Sequence, residues 1–288
     1  MAPVNDWRCE EEEPGGWRAS LALRLERSGA RTVLRRREHR GPLLVQKALY
    51  PEGEAVCHLL LLHPPGGVVG GDALRIHLDL AEGAHLLLTT PGASKWYRCA
   101  PGSRSQQRVE IRLGPGAALE WLPQENIFFD GCDSRLEMGV TLASGARFLG
   151  LEMHCLGRLA SGERFERGRV RFQSRLEGVN GPLWREQGAL VGGSEWLEAG
   201  PGLDGARVIG TLLAAGEEVE AAWVAACRAI PVPGVGMRVG VTRLPGVLVA
   251  RVLADESEAA RGWLRGVWGV LRPLVLGREA EEPRIWRT

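Results

Sequence analysis

Apolar and polar positions alternate along most of the chain, and the alternation predicts β-strands almost throughout. Trp17, Ala19, Leu21, Leu23 and Leu25 face one way, and Arg18, Ser20, Arg24 and Glu26 largely the other. This is the pattern of a half-buried strand. Gly29 marks a turn, Thr32 to Glu38 a basic second strand, and Leu43 to Tyr50 a third that ends at Pro51. The apolar run Leu59 to Leu62 reads as a buried strand. Further strands are expected over Arg167 to Leu176, Leu183 to Leu190 and Val247 to Leu253.

An internal repeat organises the middle of the chain. Gly83-Ala84, Gly116-Ala117 and Gly145-Ala146 are each preceded at two-residue intervals by apolar triplets: Ile76, Leu78, Leu80; Val109, Ile111, Leu113; Met138, Val140, Leu142. Leu86, Leu119 or Phe148 follows three positions after each glycine. Period two on both sides of a glycine turn means strand, tight turn, strand. The glycines lie 33 and 29 residues apart. Units this small cannot bury their own apolar face, so they must stack and share a core. The expected fold class is mainly β, with stacked sheets in a β-helix-like architecture. An antiparallel sandwich is the plain alternative.

Helical spacing occurs only late. Val219, Ala222, Trp223 and Ala226 predict one short helix over 217–229. Ala260, Trp263, Leu264, Val267, Trp268 and Leu271 predict a second over 256–272, capped by Asp255 or Ser257 and ended by Pro273. Residues 1–16, with Glu10 to Glu13 in a row, read as a flexible acidic leader. Residues 17–288 read as one β domain.

The most conspicuous stretch is His63 to Asp72, HPPGGVVGGD. Pro64 and Pro65 stop the preceding strand. Gly66, Gly67, Gly70 and Gly71 permit positive φ or close backbone approach, and Asp72 can accept bonds from local N–H groups. The loop is either a docking surface or a tight turn. It is no phosphate loop: the Lys and Ser/Thr are missing, and a strand pattern follows where a helix is required.

Equivalent ends of the repeats carry polar groups that stacking would bring to one edge. They include Thr90, Lys95 and Tyr97; Gln124 and Glu125; and His154, Arg158 and Glu163. No nucleophile elbow, HExxH, zinc-spaced Cys/His set, kinase signature or dinucleotide fingerprint occurs. His63 could act as a transient metal ligand with Asp72, Cys99 or Glu125. Such donors suit borderline metals such as nickel. His154 and Cys155 are strand neighbours on opposite faces and cannot chelate one ion together.

Composition narrows the class. The chain has 288 residues, 44% of them hydrophobic, and a net charge of +1, which gives no global pull towards nucleic acid or acidic membranes. No apolar run approaches the roughly 18 residues that span a bilayer. The six cysteines include no CxxC, which fits reduced thiols in the cytoplasm. A polysaccharide-active β-helix enzyme would need clustered carboxylates on one face, and a nickel store a His-rich tract; the repeats place single acids, and the six His are dispersed. A carbohydrate-binding or carbohydrate-active β-helix remains the alternative class.

Several stretches together resemble the UreD (UreH) urease accessory family: Trp17 to Leu25, Gly41-Pro42-Leu43 with Pro51-Glu52-Gly53, HPPGGVVGGD at 63–72, Thr89-Thr90 with Lys95 to Arg98, LEWLPQENIFF at 119–129, GRLASGERF at 157–165 and LRPLVLGREAEEPRIW at 271–286. The resemblance implies a non-catalytic β scaffold that joins UreF and the GTPase UreG to the urease apoprotein for nickel insertion, within a complex that can hold it as a dimer. It implies no tightly bound cofactor, only nickel in transit through a conduit. Carried over residue by residue, it makes Pro64, Pro65, Gly66, Gly67, Gly70 and Gly71 shape the loop. His63, Asp72, Glu125 and Glu163 become metal-contact or conduit candidates, and Thr90, Lys95, Tyr97, Gln124 and Arg158 family-motif polar groups. Arg272, Pro273, Pro283, Arg284 and Trp286 become a partner surface. Glu152 falls where the family pattern leaves its role open.

Overall fold

In the computed structural model, residues 16–216, 218–233 and 236–287 are described. The expected leader therefore lies outside the described residues but for Gly16, and Glu217 of the first expected helix also lies outside them.

Strands β1 (Arg18–Ser28) and β2 (Arg31–Arg40) form a hairpin turning at Gly29. The third expected strand shrinks to β3 (Leu44–Val45), paired with β4 (Val56–Leu62), and a lone bridge from Leu49 to His58. Gln46 and Lys47 are both exposed, which breaks the alternation there.

The repeat then runs three times: β5 (Ala73–Leu80) to β6 (His85–Thr89) and the short β7 (Ser94–Trp96); β8 (Ser105–Leu113) to β9 (Ala118–Leu122) and the short β10 (Asn126–Phe128); and β11 (Asp133–Leu142) to β12 (Arg147–Leu156). The strands flanking each Gly-Ala turn pair with their equivalents in the next coil rather than with each other. Each turn is thus an arch between two sheets. Gly83, Gly116 and Gly145 have φ of +64°, +63° and +67°, and the following alanines are small enough to be buried in the corner.

The chain continues through β13 (Arg169–Gly178), β14 (Gly181–Val191), the one-turn helix α1 (Glu195–Glu198), β15 (Val208–Ala215), α2 (Ala221–Arg228), β16 (Arg238–Leu244), β17 (Val247–Ala254) and α3 (Ser257–Leu276). One sheet has seven strands in the order β14-β13-β11-β8-β5-β1-β2, and the other ten. Pairing is parallel from β1 through β5, β8 and β11 to β13, with antiparallel strands at both ends. The result is a β-solenoid of about four turns. One core fills the space between the sheets; the second lies between the ten-stranded sheet and α2 and α3.

Helix α3 runs past Pro273 and stops at Gly277, whose φ is +66° and whose N–H bonds the Pro273 carbonyl at 3.0 Å. Burial of Leu271, Val275 and Leu276 holds the last turn together despite the proline. Its N-cap is Glu256, without a side-chain cap bond. No helix is long and apolar enough to cross a membrane among the described residues.

Candidate functional site

Every return from the ten-stranded sheet to the seven-stranded sheet passes along one rim, so His63–Asp72 is the first of four stacked return loops. Backbone bonds tie each to the next. Tyr97 N–H donates to Val68 O at 2.9 Å, Cys99 N–H to Gly131 O at 3.0 Å, and Gly131 N–H to Arg167 O at 3.0 Å. The close approach explains two glycines: a Cβ on Gly67 would lie 2.2 Å from the Tyr97 ring, and one on Gly70 2.4 Å from Ser103 Oγ. Pro64, Pro65 and Gly66 are exposed at the tip, and Gly71 adopts positive φ.

The four metal-contact candidates share this rim but do not converge. Asp72 is buried and accepts bonds from Trp17 N–H at 2.8 Å and Val69 N–H at 3.0 Å, so it closes its own loop. Burial lowers the His63 pKa below the usual imidazole value, and the Asp72 charge opposes that shift. Glu125 pairs with Arg261. Glu163 pairs with Arg158 at 3.0 and 3.1 Å, and this bond holds its carboxyl below the usual range. No three His, Cys, Asp or Glu side chains could hold an ion together among the described residues.

The motif polar groups mostly knit loops together. Thr90 Oγ1 accepts from Gln124 N–H at 2.9 Å, the Gln124 side chain accepts from Arg261, and Tyr97 packs edge-on against Phe129. Lys95 is exposed.

The expected C-terminal surface divides. Arg284 is exposed, Pro273 half-buried and Pro283 buried. Trp286 turns inward to donate to Thr89 Oγ1 at 2.9 Å and to meet Trp268 edge-on. Arg272 is no surface residue at all: it is 0% exposed. Its Nε donates to Glu120 at 2.9 Å and its Nη2 to Glu52 at 2.7 Å. Glu120 also accepts from Trp268 Nε1 at 2.8 Å and sits 3.0 Å from His85, while Glu52 sits 2.6 Å from His58. The correction has a periodic cause: Arg272 follows Trp268 by four residues and so shares the stripe that faces the sheet.

A second feature, unforeseen in the sequence, is a cavity of about 520 Å³ between the sheets, where β13 and β14 face β12, β15 and β17. Glu152 and His154 reach into it from one face of β12, joined by Thr211, Ser174 and Glu186. Glu152 makes no hydrogen bond or ion pair among the described residues. Burial, reinforced by the Glu186 charge, pushes its carboxyl up to about 7. Burial also takes the His154 imidazole down to about 4, so it is neutral. Glu186 is held at 2.5 Å by Arg251. Asp72, Glu125 and Glu163 do not line this cavity. The sequence signal for it was the acid at Glu152 and the His at 154, two residues apart on an otherwise apolar strand.

A model of the family described as UreD urease accessory protein matches residues 18–287. A protein of Dechloromonas aromatica named urease accessory protein UreD is 50% identical over 282 residues, covering 97% of each chain. Those of the same name from Azoarcus sp. and Nitrosococcus oceani are 48% identical over 289 residues (100% of each chain) and 47% over 275 residues (96% of this chain, 92% of the other).

Proposed function

The chain belongs to the UreD urease accessory protein family, and from that premise we propose that it is a non-catalytic scaffold of urease maturation, bridging the urease apoprotein to UreF and the GTPase UreG while nickel passes through it. The observation that carries the conduit is the inter-sheet cavity. Carboxylate and imidazole are donors that a borderline dication accepts. Glu152 has no competing partner among the described residues, and its carboxyl, raised to about 7, releases a proton readily when a cation arrives. Neutral His154 offers an imidazole nitrogen, its Nδ1 lying 3.5 Å from the Asn126 amide nitrogen, a contact long enough for a cation to displace. Two donors without a third give weak, reversible contact, which suits cargo in transit better than storage. Glu152 and His154 therefore take the conduit role in place of Asp72, Glu125 and Glu163, whose acids are already bonded.

The test is co-expression with UreF and UreG from the same source, size-exclusion of the product, and GTP-dependent nickel activation of the urease apoprotein. The scaffold reading expects co-elution and activation that depends on this chain. A chain that elutes alone and leaves activation unchanged overturns it. Glu152→Gln with His154→Leu should co-elute normally and activate less; full activation by that variant removes the conduit while leaving the scaffold standing.

A further inference from the structure

The edge of the seven-stranded sheet at β2 carries a run of cations that takes no part in the proposed conduit. Thr32 at its start is covered: its N–H donates to Glu54 O at 2.9 Å, and its carbonyl accepts from the Tyr50 hydroxyl at 2.9 Å. Coverage ends where the basic run begins. The ladder with β1 slips at Arg35, since Arg24 faces Arg36 while Leu25 faces Leu34. Beyond that bulge, Arg35 to Arg40 are all exposed, and the outer edge of the strand has no ladder partner among the described residues.

The cations occupy both faces. Arg37 and His39 stand opposite Leu23 and Leu21, and Arg36 and Arg40 opposite Arg24 and Ser20. Arg35 is met by Glu26 and Arg36 by Glu38. Arg37 and Arg40 meet no carboxylate among the described residues.

We propose that β2 is a docking edge for an acidic, extended segment of a partner protein, which pairs with the open backbone of residues 36–40 and sets carboxylates against Arg37 and Arg40. Strand addition supplies affinity through main-chain bonds, and the alternation of side chains supplies selectivity. Because the uncompensated arginines lie on opposite faces, an added strand would meet a cation on each side. A second copy is the wrong occupant, since two β2 edges would oppose like charges. Charges on an edge strand also deter unwanted pairing, so the experiment must separate attraction from deterrence. The inference stands apart from the conduit and holds whether or not the cavity carries nickel.

The test uses the full chain and a fluorescein-labelled peptide of about ten residues repeating Glu-Glu-Val-Val, which sets carboxylates on both faces of an added strand, read by fluorescence anisotropy. Arg37→Glu with Arg40→Glu should weaken binding about fivefold to tenfold. Arg185→Glu on the opposite edge strand β14 should leave it unchanged. N-methylation of alternate peptide nitrogens, which blocks strand pairing, should weaken it as much as the charge reversal. Equal thermal midpoints for the variants confirm that folding is intact. Binding indifferent to the charge reversal or to N-methylation overturns the proposal. So does tighter binding of a single-stranded DNA of equal charge, lost in the same variant, which would make the strand a nucleic-acid contact. Peptide binding that appears only after removal of residues 1–15 overturns it too, because Glu10 to Glu13 would then be the occupant.

Discussion

Replacing Arg272 by Met keeps the length of the side chain and removes the only arginine from a sealed ionic cluster, leaving two buried carboxylates. Glu120 and Arg272 are both 0% exposed, so water cannot take over the lost contacts. Arg272 donates to Glu120, to Glu52 and to the Glu279 carbonyl. Removing one partner of a buried ion pair costs about 3–5 kcal/mol, at least about a fifth of the total stability of a typical domain. Urea unfolding followed by tryptophan fluorescence reads this directly. pH adds a signature. Burial raises both carboxyls, but His85 and Arg272 at Glu120, and His58 and Arg272 at Glu52, outweigh it and hold both below the ordinary range. That stabilisation is complete above the unfolded value of about 4.3 and is lost as pH falls through the folded values. In the variant burial dominates, both carboxyls rise, and stability falls as pH climbs from about 4 towards 7. The deficit therefore widens from acid to neutral pH. Adding Glu120→Leu should restore part of it, a coupling of about 1 kcal/mol or more. A loss under about 1 kcal/mol at pH 7, or one independent of pH, would refute the reasoning.

Gly168→Ala should cost about 2–4 kcal/mol in thermal or urea unfolding, because φ is +99° and the new Cβ would lie 2.3 Å from the Cys132 carbonyl oxygen; Gly162→Ala, at φ +74° with open space around it, should cost about 1 kcal/mol. Wild-type Glu152, raised to about 7, keeps its proton in the folded state while the unfolded chain loses it, so stability declines from about pH 4.3 to 7. Glu152→Gln should flatten that slope and be more stable at pH 8 by about 1–2 kcal/mol, the burial effect being softened by water in the cavity. With Cys9 replaced by Ser, native protein treated with a thiol reagent should show one fast thiol, Cys99, since Cys57, Cys132, Cys155 and Cys227 are buried and pushed up to about 11 or 12. Gly188→Ala places a Cβ 2.4 Å from the Phe172 ring and should turn that ring into the cavity, lowering nickel activation of urease more than it lowers the unfolding midpoint.

The solenoid was legible because its repeat is local: a period-two face, a Gly-Ala corner and another period-two face encode one coil without reference to the rest of the chain. The arches were read as tight turns between strands, and only the stacking shows that their strands pair between coils. Features that depend on distant neighbours were harder to see. Strand β15 lies in a stretch with no polar alternation, since six of its eight residues from Val208 onward are buried on both faces in the middle of a sheet. Strand β16 gives no alternating signal because all but Val241 are exposed on an edge. Arg272 and Pro273 read as a surface and a stop because an arginine and a proline usually are; carboxylates 152 and 220 residues away in sequence decide otherwise. Within the rim, Asp72 bonds one local N–H, that of Val69, but its other donor, Trp17, is 55 residues away, and nothing in its own stretch shows that Glu125 and Glu163 find separate arginines.

The cavity is the clearest case of local chemistry that opposes stability. Gly150 and Gly188 lie beside Phe148 and Phe172, close enough that a Cβ would fall 2.3 and 2.4 Å from the rings. Both rings thus lie along their sheets instead of reaching across. In the earlier coils the positions in register with Gly150 are Leu88 and Trp121, and those in register with Phe172 and Gly188 include Leu136 and Leu74, all at most 5% exposed. Filling the gap between Gly150 and Gly188 with such residues would add burial, and replacing Glu152 by an apolar residue would remove the desolvation cost of a carboxylate without a partner. Glycines that keep a space open and an acid that faces it are two independent departures from what stability alone favours. Coincidence of such departures at one place is what a site retained for function would show, and it favours β12 as the place of the proposed conduit over any argument from a single side chain.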